Sequence, residues 1–253
     1  AADGAQNVCG STFIGNASNE FGGALFRTAD GTAQPTGFDR SVFQNNSARK
    51  GGALYVQNSK PLAITASTFS ANRAVGGGAG DFVGDTLEVT NTTFAANVAT
   101  QGLGGALFLV NSGAAGWINN ATFTGNQSSG GPGYFGAAVF GTLDFPITNT
   151  VFANNLSADG GSPMQCSFTP GSGADDVQWP QKRPVGGLND NPCVTGIRFV
   201  DPLLGALAAN GGPTPTAKPA WNSPLRKAGH NCAATDQRGV ARNTAQCTIG
   251  AVE

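Results

Sequence analysis

Fifteen carboxylates and a single histidine make up this chain's stock of groups for acid–base chemistry. Asp81, Asp85 and Glu88 fall close together, and Asp175 and Asp176 are adjacent. Two opposed carboxyls would serve a glycosidase, one protonating the leaving oxygen while the other attacks or activates water. The first group lies at a loop-to-strand step, where solvated acids are common. Asp175 and Asp176 would point to opposite sides if extended. A lyase acting on acidic sugars needs cations or a metal to neutralise the substrate carboxylate, and a base to take its proton. Residues 74–181 contain no Lys or Arg, which argues against that chemistry there. His230, beside Cys232, reads as a loop residue. No Cys-x-x-Cys or Cys/His spacing suits a metal, and no Gly-x-Ser-x-Gly or phosphate-binding loop is present. The expectation is no catalytic residue, no metal and no cofactor.

The five cysteines are Cys9, Cys166, Cys193, Cys232 and Cys247. Cys166 and Cys193 bracket one irregular Pro/Gly segment, and Cys232 and Cys247 another. We expect these two pairs to be disulfides, each closing a loop with little core of its own. Cys9 is left over.

The residues that would position any site follow a repeat. Six regularly spaced Phe residues are each followed three residues later by an Asn: Phe13/Asn16, Phe43/Asn46, Phe69/Asn72, Phe94/Asn97, Phe123/Asn126 and Phe152/Asn155. Successive Phe residues are 30, 26, 25, 29 and 29 apart. Small-residue runs follow most pairs, such as Gly22-Gly23-Ala24-Leu25 and Gly104-Gly105-Ala106-Leu107. Short β-branched segments precede them, such as Leu87-Glu88-Val89-Thr90. No stretch keeps a helical apolar period. A fixed period of this size marks a repeat architecture. We expect an all-β, right-handed parallel β-helix of about six coils over residues 1–160. Residues 161–253 should be an irregular, disulfide-bonded extension on the same helix that caps one end. Coils stacked about 4.8 Å apart would place the Phe rings in one internal stack and the Asn amides in a second ladder at an inward corner. Asn suits that corner because its amide satisfies turn backbone groups and it tolerates left-handed φ.

The Phe-x-x-Asn and Gly-Gly-Ala-Leu repeats resemble those of bacterial polymorphic outer-membrane proteins, including autotransported adhesins. Asn210-Gly211-Gly212-Pro213-Thr214-Pro215-Thr216, Asp236-Gln237-Arg238-Gly239 and the closing Thr248-Ile249-Gly250-Ala251-Val252-Glu253 resemble the choice-of-anchor Q domain. Together the resemblances cover nearly the whole chain. They imply a secreted or cell-surface bacterial β-helix, often part of a longer polypeptide, without implying one activity. The Asn-Thr-Asp, Gly-His-Gly and Arg-Ile-Lys motifs of pectin-hydrolysing β-helices are absent.

Composition agrees. Only 11% of residues are charged, and Gly numbers 38, so solubility rests on neutral polar groups. No apolar run is long enough to span a membrane. Residues 1–73 carry six basic and four acidic residues, a balance of +2. Residues 74–181 stand at −7, and residues 182–253, with eight basic and four acidic residues, at +4. That asymmetry supports self-association between basic ends and acidic coils. A near-neutral chain without a basic face does not suit nucleic acid. Residues alternating with the inward ones should line an outer face, stacking Thr65 and Thr68, Thr90 and Thr93, Asn119 and Thr122, and Thr148 into rows. Such rows could bind glycan or another cell-surface ligand. Trp117, Tyr134 and Phe135 form a candidate aromatic platform. The leading expectation is a structural or adhesive surface protein that self-associates or binds glycan. A polysaccharide-acting hydrolase or lyase, and an ice-binding protein using the Thr rows, stay open as alternatives.

Overall fold

A computed structural model describes residues 4–29, 34–110, 115–129, 135–141, 144–162, 164–166 and 172–253. All regular structure among them is β, arranged as a parallel solenoid. The first face stacks seven strands: Gln6–Cys9, Thr36–Asp39, Leu62–Thr65, Leu87–Thr90, Trp117–Asn119, Ile147–Thr148 and Gly173–Ala174. The second stacks eight, from Thr12–Ile14 through Thr93–Ala95 to Val177–Trp179 and Arg198–Phe199. The third stacks five: Leu25–Thr28, Leu54–Gln57, Gly80–Val83, Leu107–Val110 and Val139–Phe140.

Parallel in-register stacking makes every inward position a column. The six repeat rings, Phe13, Phe43, Phe69, Phe94, Phe123 and Phe152, pair directly across the second face, with centroids 4.6 to 5.2 Å apart. From Phe43 onward each is fully buried, and each contributes roughly 1.5–3 kcal/mol relative to an exposed ring. Gln178 and Phe199 extend the column past Phe152.

The Asn column closes the hydrogen-bond accounting at the next corner. Asn46 is its first fully buried member. Its Oδ1 accepts the backbone N–H and the side-chain N–H of Asn16, at 3.0 and 2.9 Å. Its Nδ2 donates onward to Asn72 Oδ1 and back to the Phe13 carbonyl, both at 3.0 Å. Asn97 repeats the arrangement. It accepts both N–H groups of Asn72, at 3.0 and 2.9 Å, and donates to Asn126 Oδ1 and the Phe69 carbonyl, both at 2.9 Å. Asn126 passes the pattern to Asn155, where the Gln165 side chain ends it.

One part of the expectation for this corner is corrected. Asn46, Asn72, Asn97 and Asn155 do not take up the left-handed backbone themselves; the residue before each does. Asn45, Ala71, Ala96 and Asn154 have φ between 53° and 56°. The physical reason is direction: the left-handed residue makes the bend, and the following Asn is then aimed inward. Asn46 and its equivalents therefore contribute their amides rather than their backbone tolerance.

A third inward column joins the first two faces: Ser41, Ser67, Thr92, Thr150 and Asp176. Asp176 Oδ1 accepts the Thr150 N–H at 2.8 Å, while Oδ2 is buried without a partner. Burial pushes its pKa up to about 8, with the Thr150 N–H opposing and the charge of Asp175 adding.

The extension divides in two. Residues 172–199 continue the first two faces, and the Cys166–Cys193 disulfide (Cα–Cα 5.3 Å) ties this turn to the third face, where Cys166 bridges Val139. Cys193, Val194 and Ile197 join the core at the C-terminal end as expected, while residues beyond 200 pack along the flank of the helix. A hairpin, Leu204–Ala208 with Thr216–Pro219, is followed by a strap that doubles back across the corner between the first two faces. Asn149 donates to the His230 carbonyl at 2.9 Å, Asn120 accepts from the Ala233 N–H at 3.0 Å, and Asn91 donates to the Thr235 carbonyl at 2.7 Å. The strap thus descends one coil per two to three residues, the pace of an extended chain crossing strands about 4.8 Å apart. Gln237 faces Thr68, Thr93 and Thr214, and Asp236 gathers the N–H groups of Arg238, Val240 and Glu253. Arg242, buried, donates to the carbonyls of Thr248 and Gly250 at 2.8 Å. The Cys232–Cys247 disulfide pins the strap to its return segment.

Two measurements follow. Asn97→Asp removes two buried donors and sets oxygen against oxygen, so urea unfolding is expected to show a loss of roughly 3–5 kcal/mol. Asn16→Asp, at the exposed end of the column, should cost about 1 kcal/mol; equal losses at both sites would contradict a column that matters through burial. Asp176 and Asp85, the latter raised to about 7 by burial against the Ser59 and Val83 N–H groups, hold protons that the unfolded chain releases near pH 4. Their contribution to stability is complete below that pH and is lost as pH rises through about 7 to 8. The urea midpoint should therefore fall between about pH 5 and about pH 9, and Asp176→Asn, which keeps the acceptor for Thr150, should flatten the fall. A midpoint that rises over this range would refute the assignment.

Candidate functional site

The third face carries the site. Each of its strands is entered through a Gly-Gly or Gly-Ala turn, and the turn needs glycine. Gly51 has φ +61°, and a Cβ on Gly52 would lie 2.1 Å from the Gly78 carbonyl oxygen of the next coil. One residue before the turn, and again five residues later, a side chain projects outward. Strand pairing aligns the later position as Phe26, Tyr55, Asp81, Phe108 and Phe140. The earlier position reads Phe21, Lys50, Gly76, Leu103 and Phe135, with Phe21, Lys50 and Gly76 bridged in parallel. Four coils therefore carry two bulky groups each, and the rings interlock: Phe21 lies 4.7 Å from Tyr55, Phe21 5.4 Å from Phe26, and Phe108 5.4 Å from Phe140.

The third coil carries Gly76 and Asp81 instead. Where the rung is missing there is a cavity of about 310 Å³, lined by Arg49, Lys50, Val75, Asp81, Leu103 and Phe108, with Gly76 and Gly102 at its edge. Its walls are mostly apolar, with a few polar groups converging, the common form of a small-ligand site. Asp81 is only 3% exposed, and its carboxyl receives no hydrogen bond from the described residues. Burial pushes its pKa up to about 7, against the pull of the Lys50 ammonium. Tyr55, on the neighbouring strand, is raised by its own burial and by the charges of Asp81 and Asp85. The Lys50 ammonium sits 5.8 Å from the Phe21 ring centroid. Arg49 is engaged by Glu20 at 3.2 Å.

The residues singled out from sequence fall elsewhere. From Phe43 and Asn46 onward, the Phe and Asn columns are fully buried in the interior and present nothing to a ligand. Of the outer rows, Thr65, Thr90, Asn119 and Thr148 stand half-exposed on the first face. Thr68, Thr93 and Thr122 are buried on the second face, beneath the strap. Thr68 donates to the Pro215 carbonyl, Thr93 to Gln237, and Thr122 accepts the Ala251 N–H. The flat double Thr row does not exist as a free surface, because the tail that was expected at an end lies over half of it. Asp81, Asp85 and Glu88 do not line one site, although Asp81 and Asp85 are near enough to feel each other's charge. Only Asp81 lines the cavity, Asp85 is fully buried against the Ser59 N–H, and Glu88 lies on the first face. Asp175 and Asp176 do diverge: Asp176 enters the interior column, and Asp175 lies 2.9 Å from His230 Nδ1 at the strap. Asp175 has φ +58°, so a left-handed corner rather than an extended chain separates them. Trp117 stands on the first face, its indole N–H donating to Thr90 at 3.3 Å, while Phe135 packs on the third. The two form no common platform, and Tyr134 lies outside the described residues. Cys9 is exposed on the first face.

Sequence reading missed the slot although its signal was present. Aligning the chain on its Gly-Gly turns, rather than on Phe-x-x-Asn, shows a bulky pair in every coil but one. The strap's anchors, Asn91, Asn120 and Asn149, were equally visible, each three residues before a repeat Phe.

Comparison with known proteins supports the repeat type. Residues 40–57 match the family described as the Chlamydia polymorphic membrane protein (Chlamydia_PMP) repeat. The chain is 31% identical over 127 residues to the probable autotransporter YfaL of Escherichia coli (strain K12), covering 44% of this chain. It spans about a tenth of that relative's length, the match covering 10% of it. No solved structure matches. Both matches point to an outer-membrane-associated or secreted surface location. The repeats are thus similar to those of polymorphic outer-membrane proteins, and the chain carries them on a parallel β-helix.

Proposed function

We propose that this chain is an adhesive surface module that holds a sugar ring of a glycan in the slot on its third face. The observation that carries the reading is Asp81: a carboxyl 3% exposed, without a hydrogen bond from the described residues, lining a cavity of about 310 Å³. A sugar ring suits such a place. Its C–H face packs on Leu103 and Phe108, while its hydroxyls meet the carboxyl and the Lys50 ammonium. The slot offers one carboxyl where glycoside hydrolysis uses two, so it is read as holding a ring rather than cleaving a bond. The rigid rod supplies the preorganisation, since the slot's walls belong to stacked coils that do not have to be ordered on binding.

The test uses the glycine that leaves the slot open. A Cβ on Gly76 would meet nothing nearer than the Leu103 carbonyl oxygen at 3.7 Å, and its φ is not left-handed. Gly76→Phe restores the missing rung and should fold with thermal stability equal to or above that of the parent, by up to about 1 kcal/mol. Binding of the purified chain to a glycan array is expected for the parent and not for Gly76→Phe. If the parent is retained by no glycan, or the filled variant is retained as well, the reading fails.

A further inference from the structure

The slot's charges narrow its ligand, a step that rests on its being a sugar site. We infer that it takes a carboxylated sugar of the uronate class, the sugar carboxylate lying between the Lys50 ammonium and the Asp81 carboxyl.

Three features support this. Lys50 belongs to no ion pair among the described residues and is held against the Phe21 ring at the mouth of the cavity. An ammonium facing an apolar wall, outside ion-pair distance of every carboxylate among the described residues, is a place for an anion. Arg49, beside it, is already turned to Glu20 and adds positive potential without competing for the same contact. At the floor, the Asp81 carboxyl keeps its proton up to about pH 7, so near neutrality it can donate an O–H to a carboxylate instead of repelling it. Every other titratable group facing Asp81 leaves that role intact. Tyr55 on the preceding strand is neutral. Asp85 on the following turn is itself held protonated to about pH 7 and is occupied by the Ser59 N–H. The next coil presents only Leu103 and Phe108. An amino sugar would meet Lys50 as a like charge, and a neutral sugar would leave the ammonium without a partner once water is displaced.

The experiment compares a galacturonic acid tetramer with the equally linked galactose tetramer by calorimetry on the purified chain. It runs at about pH 6 and about pH 8, either side of the carboxyl's midpoint. The acidic tetramer is expected to bind about tenfold more tightly than the neutral one at the lower pH, and to weaken several-fold at the higher pH as Asp81 ionises. Lys50→Gln, an exposed substitution, should abolish the preference, and Asp81→Asn should keep binding while flattening its pH dependence. Equal binding of the two tetramers, or a preference unchanged in Lys50→Gln, would overturn the carboxylate assignment and leave the sugar slot standing. Binding of neither tetramer would overturn the uronate inference, and binding undiminished in Gly76→Phe would remove the slot itself and this inference with it.

Discussion

The structure depends on one constraint: at the inward corner, every side-chain amide must find its partner in the coil above and the coil below. Asn can satisfy it because it carries two donors and an acceptor with two lone pairs on a short arm. Asn97 uses all of them, giving to Phe69 and Asn126 and receiving twice from Asn72. A coil out of register by one residue would turn its inward set outward and strand buried amides at a cost of about 1–3 kcal/mol for each unpaired group. The Phe stack supplies much of the driving force, but rings alone slide. The amides fix where the rings lie, and so where everything else lies.

The same chemistry is used twice, once on each side of the wall. Inward Asn residues hold coil to coil. Outward Asn91, Asn120 and Asn149 hold the strap, taking and giving backbone hydrogen bonds that its extended chain could not satisfy against apolar strands. The strap therefore needs no sheet of its own, and regular structure beyond residue 219 is almost absent. Its motif-like residues are explained by this position. Gln237 reaches the Thr68 and Thr93 hydroxyls, and Asp236 closes the turn onto Arg238 and Glu253. The hydroxyl rows that make a strand surface attractive to a ligand are here consumed by the protein's own tail.

What was legible in the sequence follows from this division. Columns that repeat an identical residue, Phe13 to Phe152 and Asn16 to Asn155, announce themselves by period, and the fold with them. Which residue of the Asn45-Asn46 pair bends the chain was not legible, since both are Asn and either tolerates the left-handed region. The strap could not be read from period at all. Its contacts join residues such as Thr68 and Gln237, 169 apart, and nothing in local spacing says whether a tail covers an end or a flank. The Ser/Thr column was hidden by degeneracy, since Ser41, Thr92 and Asp176 meet one geometric need with three residue types. The slot was hidden for the opposite reason. It is defined by what Gly76 and Asp81 are not, and a search for recurring residues passes over a position where recurrence fails.

In a repeat protein that failure is informative, because packing favours filling the gap. The backbone at Gly76 would accept a larger side chain, and the flanking coils show Lys50 and Leu103 at that position. The Asp81 strand position is flanked by Tyr55 and Phe108, whose rings bury well. Leaving the cavity open forgoes dispersion contacts. Placing a carboxyl there without a partner costs more, since a buried acid must give up either its charge or its solvation. Asp81 does the former near neutral pH. Both departures fall in one coil and meet in one cavity, with an unpaired ammonium at its mouth. A random lapse in the repeat would have to produce all three together. The sugar site proposed for this slot accounts for all three with one cause.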